Sequence, residues 1–353
     1  MATRAPTAQP RARGASGSWL GDRTGWTVGA ARLATHRIGP WEVERYAAVA
    51  AAVLMLLLVA SGIALSMHYR PNATEARGSV VEIASAIPFG NLVRGVHQWA
   101  SDLLVACMWA LCLALCLRRL YRRPGELVWL AALFGLLLVT QIAFTGAVLP
   151  WTASARDQAR MVGGMARSVP LIGEGLGHFV LGGPDVGAAT LPRAYGFHIA
   201  VLPAIFTLVA VAYWRLAARM SEGLAERRTA AGVALPRTIP VYPDFALRAV
   251  AVSVAVVLVV VSLATFLPRV PGITGGEVET PPWYLAFFHQ ILRKSPPDLL
   301  GIPGPQFIGG VMTAILLVVA ALPFIDPRGS KVTRWLALVG LAGIAALTVY
   351  GLQ

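Results

Sequence analysis

The stretch LVRGVHQWASDLLVACMWALCLALCLRRLY, from Leu92 to Tyr121, carries an uninterrupted apolar run, Leu103–Leu117, and ends in a cluster of arginines. An apolar helix of roughly 20 residues rises about 30 Å, the thickness of a bilayer's hydrocarbon core. The same signature recurs along the chain. Seven candidate spans are expected: Arg45–Tyr69, Asn91–Leu117, Leu127–Leu149, Ala194–Trp214, Ala246–Leu267, Phe307–Phe324 and Val332–Leu352. The sixth is short and starts Gly-rich, so it is the weakest. Backbone polar groups in lipid must pair internally, so each span reads as a helix. The predicted fold class is an all-α, multi-pass integral membrane protein, with four helices in a bundle followed by three more. The bulk numbers agree: 353 residues, 56% hydrophobic, 13% charged, mean hydropathy +0.65.

The net charge of +13 points first to nucleic acid, but the placement of the charges argues against it. Twenty of the 30 Lys+Arg fall on the side that holds the N-terminus: Arg4 to Arg45, the RRLYRR run 118–123, Arg215 to Arg248, and Arg328, Lys331 and Arg334. The excess is therefore a topology signal, with the N-terminus cytoplasmic and the C-terminus outside. No nucleic-acid partner is expected. A bacterial inner membrane is the expected location. MATRAPTAQPRARGASGS superficially resembles a transit peptide; a basic arm beside the anionic leaflet is the preferred reading. Trp19–His36 then reads as a short interfacial helix. The expected division is 1–44 arm and interfacial helix, 45–217 four-helix part, 218–242 polar linker, and 243–353 three-helix part. The connections 150–193 and 268–306 are long enough to carry function.

Cys107, Cys112 and Cys116 share one helix and supply no disulfide framework. Cys112 and Cys116 lie on one face, so a metal is conceivable, but packing is the simpler role. Of six histidines, only His97 and His198 fall within spans. Each lies one to two turns inside the outer end of its helix, so the two sit at matching depth. Ionisable residues inside membrane helices are functional by default. Two imidazoles at one depth suit trans ligation of a heme iron; the alternative is a local hydrogen bond for each. Arg94 shares a face with His97 and suits a heme propionate. Gly62 and Gly146 lie at comparable depth, where a missing side chain lets a flat macrocycle approach or helices pack closely.

GIALSMHY (62–69), LVRGVH (92–97), FTGAVLPW (144–151), SVPLIGEGLGHFVLGG (168–183) with ATLPRAYGFH (189–198), and PPWYLAFFHQILRKSPPDLLG (281–301) occur in this order. Together they resemble cytochrome b, the membrane core of the quinol:cytochrome c and quinol:plastocyanin oxidoreductases, over roughly residues 19–350. The last three spans are similar to the short subunit of the plastoquinol-type complex, fused onto the four-helix part. That resemblance implies quinol or quinone as substrate, an iron–sulfur protein and/or a c-type cytochrome as partners, and a multi-subunit complex, with a dimer among the arrangements open. It also implies two hemes b, held by histidine pairs about fourteen residues apart on helices two and four, which is about 21 Å of rise.

The outer pair matches His97 and His198. The inner pair maps to Leu111 and Ala212, with Tyr213 at a one-residue-longer spacing. The family's inner glycines map to Ala48 and Ala132, and its inner arginine to Ala114. One outer-side heme b, ligated by His97 and His198, is therefore expected. The family's Pro-Glu-Trp-Tyr motif reads Pro281-Pro282-Trp283-Tyr284 here, so the proton-accepting glutamate is replaced by Pro282. Trp283 and Tyr284 remain candidates to line the quinol pocket, and are equally ordinary interface anchors. Glu277 and Glu279 lie nearby; His178 and His289 read as surface residues, and His68 as a helix end. Two functions follow: a mono-heme cytochrome b subunit of a quinol-linked complex, or a heme-retaining scaffold without quinol turnover. A transporter is disfavoured, because no broken helix or midplane charge cluster is evident.

Overall fold

The computed structural model describes residues 37–38, 43–169, 171–232, 239–269 and 282–351. The basic arm, the expected interfacial helix Trp19–His36, and Pro281, Glu277 and Glu279 lie outside the described residues. The helices are α1 (Val43–Ser66), α2 (Ala76–Ser85), α3 (Gly90–Leu117), α4 (Glu126–Val148), α5 (Ala153–Arg167), α6 (Gly173–Leu181), α7 (Thr190–Gly196), α8 (Leu202–Ala230), α9 (Ala246–Phe266), α10 (Trp283–Arg293), α11 (Gly304–Ala320), α12 (Leu322–Ile325) and α13 (Lys331–Gly351). A π-helical turn, Phe197–Val201, joins α7 to α8, so that Thr190–Glu226 forms one continuous span.

Six helices among the described residues are long and apolar enough to cross a membrane; α11, at 17 residues, is shorter. The fold is all-α and membrane-spanning. Two units are distinguished, 1–42 with 236–251, and 43–235 with 252–353. In the first, Arg37–Ile38 pairs antiparallel with Ile239–Pro240. The second contains the helical bundle.

Its core runs α1 against α3, α3 against α4, and α4 against α8. Lipid is as apolar as leucine, so close approach rather than water exclusion holds such helices together. Small residues contribute to that approach: Ala48, Ala51 and Ser61 lie on the buried face of α1 beside Leu54 and Leu58. The Cys107 thiol donates to the Ala47 carbonyl at 3.2 Å, and Cys112 and Cys116 are buried, as packing residues. No cluster of three or more potential metal ligands occurs among the described residues.

The connection 150–193 is not a loop. It folds into the amphipathic hairpin α5–α6, where Thr152 caps α5 by accepting from the Ala155 amide at 3.1 Å.

At the opposite end, Asp326 holds the start of α13. The Tyr121 hydroxyl donates to its carboxylate at 2.9 Å and the Ser330 amide at 2.8 Å. Burial raises this carboxyl, but hydrogen bonds from Thr333, Ser330, Tyr121 and Gly329 outweigh it and pull it down to about 2. A depressed carboxyl stabilises the fold above its unfolded value, about 3.9. That contribution is lost as pH falls toward 2. Asp326→Asn should therefore lower the thermal midpoint at pH 7 and leave it nearly unchanged at pH 2, as read by scanning calorimetry in detergent.

Candidate functional site

His97 on α3 and His198 in the π-helical turn face each other, ring centroids 6.0 Å apart and planes 69° apart. The wider π turn inserts an extra residue and re-aims His198 toward the bundle axis. Each imidazole is fixed through Nδ1. Ser61 donates its single proton to the Leu57 carbonyl at 2.6 Å, so its oxygen accepts from His97 Nδ1–H at 2.9 Å. His198 Nδ1–H donates to the Ile142 carbonyl at 2.9 Å, with the Thr145 hydroxyl at 3.3 Å. A carbonyl only accepts, so the proton must sit on Nδ1 of His198. Both Nε2 atoms are left as lone pairs, the tautomer a metal ligand requires.

Glycines make room for these rings. A Cβ at Gly62 would lie 3.2 Å from His97 Cε1, and one at Gly146 would lie 2.6 Å from His198 Cε1. Ser61-Gly62 on α1 and Thr145-Gly146 on α4 are thus matched hydroxyl–glycine pairs, each seating one histidine. Gly62 and Gly146, the candidates for close approach of a macrocycle or of helices, thus each lie against one of the two imidazoles.

The two clearances differ, so the two alanine substitutions should differ. Gly146→Ala forces His198 to move, at about 1–3 kcal/mol for overpacking, and should shift or deplete the spectrum of any bound heme. Gly62→Ala should leave it nearly intact, as absorption spectroscopy on both purified variants would show.

Heme is the group that the sequence motifs imply, and the residues fit it. A metal midway between two imidazole nitrogens at about 2 Å each needs ring centroids roughly 6 Å apart. Protein donors alone leave such an ion short of ligands, because no third candidate accompanies the pair among the described residues. A macrocycle supplying the equatorial nitrogens completes the set.

Beside this pair lies a charged cluster that sequence reading missed. Asp102, five residues along α3 from His97, accepts from Arg269 at 2.5 Å and from Trp283 Nε1 at 3.2 Å. The Arg269 guanidinium stacks 3.9 Å over the Trp99 ring, and Trp99 Nε1 donates to the Leu267 carbonyl at 3.1 Å. Arg94 donates to the Arg269 carbonyl rather than pointing away from the protein. A carboxylate and two arginines beside the histidine pair at one end of a membrane bundle are a strong signal in themselves, and Asp102 was legible in the opening stretch. Together they tie Trp283, at the start of α10, to the histidine-bearing helix. Tyr284 follows, 6% exposed, with its ring 5.7 Å from that of Trp283. Burial, and then the charge of Asp102, push its phenol above the ordinary range.

His289, on α10, is half-buried. Its Nδ1 is enclosed and unpaired among the described residues, and burial with Arg293 lowers its pKa. His178 is half-exposed and sits 3.0 Å from Glu174.

At the other end, Leu111 is 3% exposed and Ala132 1% exposed. Ala212 faces outward, and Tyr213 is the buried residue. The expectation that Ala212 faces the interior is corrected here: the extra residue of the π turn rotates everything after it, so the inward position shifts by one.

The described geometry agrees with the comparisons to known proteins. Residues 39–219 match the family model cytochrome b/b6/petB. The chain is 28% identical over 311 residues to cytochrome b of Cereibacter sphaeroides, covering 81% of this chain and 70% of the relative. It is 32% identical over 160 residues to cytochrome b6 of Prochlorococcus marinus (strain MIT 9303), covering 44% and 73%. Its fold superposes on a chain of a solved hyperthermophilic respiratory Complex III with a TM-score of 0.78 at 20% identity, covering 95% and 91%. Half of the chain lies within the family model, and the relatives extend the match beyond it. The protein is a multi-pass membrane member of the cytochrome b/b6 family.

Proposed function

We propose that this chain is a mono-heme cytochrome b subunit that carries single electrons within a quinol-linked complex. The observation that carries the reading is the facing pair His97 and His198, each with Nδ1 engaged and Nε2 free. One heme b would lie between them, supplying a one-electron redox centre near the outer face. Arg94 lies one turn before His97 on α3. Its guanidinium, held on the Arg269 carbonyl, leaves further donors for a propionate. At the inner level, Leu111 and Tyr213 stand where a second histidine pair would be needed, and neither side chain would hold a second heme.

A quinol or a redox partner protein, such as an iron–sulfur protein or a c-type cytochrome, exchanges electrons at the outer face. There Trp283 and Tyr284 lie beside Asp102. Residues 45–217 form the electron-carrying part and 243–353 the part that shapes the outer pocket. The protein resides in a bacterial inner membrane with its N-terminus cytoplasmic.

Heme content tests the count directly: a pyridine hemochrome assay on purified protein should return one heme b per chain, and two would overturn the reading. Catalysis gives a second check. Pro282 removes a proton acceptor, a loss of about a hundred- to ten-thousandfold where such a base operates, and the second electron has no inner heme to drain through. Quinol turnover by the purified complex should therefore be insensitive to inhibitors of a cytoplasmic-side quinone site. One observation favours the scaffold reading instead: Trp283 Nε1 is already spent on Asp102. Under that reading heme is bound and quinol oxidation is absent altogether.

A further inference from the structure

Asp102 is the only carboxylate in the sequence of α3. A charge in an apolar span persists where partners hold it, and here its two oxygens are divided between two donors. Oδ2 accepts from Arg269 at 2.5 Å and Oδ1 from Trp283 Nε1 at 3.2 Å. Arg269 follows α9 and Trp283 opens α10. The chain therefore leaves α9 and enters α10 on the same carboxylate. The ion pair is partly accessible, with the Asp102 side chain 20% and the Arg269 side chain 37% exposed.

The rest of the contact is reciprocal. The carbonyls of Leu267 and Arg269 lie just past the last turn of α9, where intrahelical donors run out. Donors from α3 replace them: Trp99 Nε1 reaches Leu267 at 3.1 Å, and Arg94 reaches Arg269. A Cβ at Gly95 would lie 3.2 Å from the Ala264 Cβ, so the two helices run in close contact there. Arg269 completes the set by stacking 3.9 Å over the Trp99 ring. Asp102 is five residues beyond His97, which is about 140° around the helix and about 7.5 Å along it. Thus α3 presents His97 on one face and holds the end of α9 and the start of α10 on nearly the opposite one.

We propose that Asp102 and Arg269 are positioning residues of the outer site. They fix Trp283, and with it Tyr284, at a set separation from the His97 helix. Their opposite charges, one helix away, also set the midpoint potential of the heme that His97 would hold. Ferric heme carries one more positive charge than ferrous heme, so a nearby anion favours the ferric form and a nearby cation the ferrous form. At roughly 15 Å and an effective dielectric of about 20, one unit charge changes the ferrous-to-ferric ratio about fivefold. The effect on potential rests on the mono-heme reading; the positioning of α10 does not.

The test uses the full chain in lipid nanodiscs, read by hydrogen–deuterium exchange over Trp283–Arg293 and by redox titration of the heme. Asp102→Asn should speed exchange in α10 at least about tenfold, since hydrogen bonds to a charged group are lost. It should also raise the midpoint by the equivalent of about a fivefold change in the ferrous-to-ferric ratio. Arg269→Gln should speed exchange too but lower the midpoint, and loss of packing alone gives no such opposition of sign. Trp283→Phe should speed exchange and leave the midpoint in place. Asp157→Asn, exposed on α5, should change neither. Should Asp102→Asn fail to fold, the direction of the Arg269→Gln shift decides. Midpoints that stay put or move the same way in the two charge variants, or α10 exchange unchanged by Asp102→Asn, would overturn the proposal. A wild-type chain without heme would sink the mono-heme reading instead, and exchange alone would then settle the positioning role.

Discussion

His97→Ala and His198→Ala should each abolish the low-spin heme spectrum of the purified protein. The two rings are 6.0 Å apart, and no third histidine, cysteine or carboxylate forms a metal-binding group with them among the described residues. A lost axial nitrogen therefore has no substitute nearby. Both variants should still insert, because α1, α3, α4 and α8 pack through small and apolar residues that the substitutions leave alone. Ser61→Ala should be milder. It removes the acceptor that holds His97 Nδ1–H, so the heme should remain with a shifted midpoint potential; outer-shell partners of this kind typically change metal affinity or activity by about 10–100-fold. A six-coordinate low-spin spectrum in either histidine variant, with heme stoichiometry retained, would refute the ligand assignment.

A second heme should become bindable when histidines are placed at the inward positions, and the π turn dictates which ones. In an Ala48→Gly, Ala132→Gly background, Leu111→His with Tyr213→His should raise heme content toward two per chain. Leu111→His with Ala212→His should not, because residue 212 points away from the bundle axis. The two variants differ by one position on α8, which is about 100° of rotation around a helix. Hemochrome assay with redox titration reads both stoichiometry and the presence of a second midpoint. Equal heme content in the two variants, at one or at two, would mean that the rotation imposed by Phe197–Val201 does not persist to residue 213.

The alternating runs of apolar residues and arginine clusters, set against the thickness of a bilayer, determined the membrane class; they pointed to seven spans, of which six are long enough to cross among the described residues, and the family was legible only in the ordered motifs. They also pointed to His97 and His198, because an ionisable side chain inside an apolar span stands out without any knowledge of packing. The glycines were visible too, but not which side chains they lie against. Only the packed structure shows that Gly62 and Gly146 clear space for imidazole rings.

Asp102 was readable as an anomaly in a span, yet its partners Arg269 and Trp283 lie 167 and 181 residues further along the chain. No local pattern encodes a contact of that separation. The connection 150–193, by contrast, carries the amphipathic periodicity of α5 in its own sequence, interrupted by glycines and prolines.

The facing direction of residues 212 and 213 shows where sequence counting stops. A fourteen-residue spacing assumes an unbroken α-helix, and one wide turn shifts every later side chain by a full residue. That turn is set by how α7 and α8 pack on α4 around His198, which is a tertiary matter. Sequence alone determined which residues are present at each depth of the membrane, since helical rise is nearly constant. The tertiary structure decided which of them face one another, since rotation about a helix axis accumulates from every local irregularity.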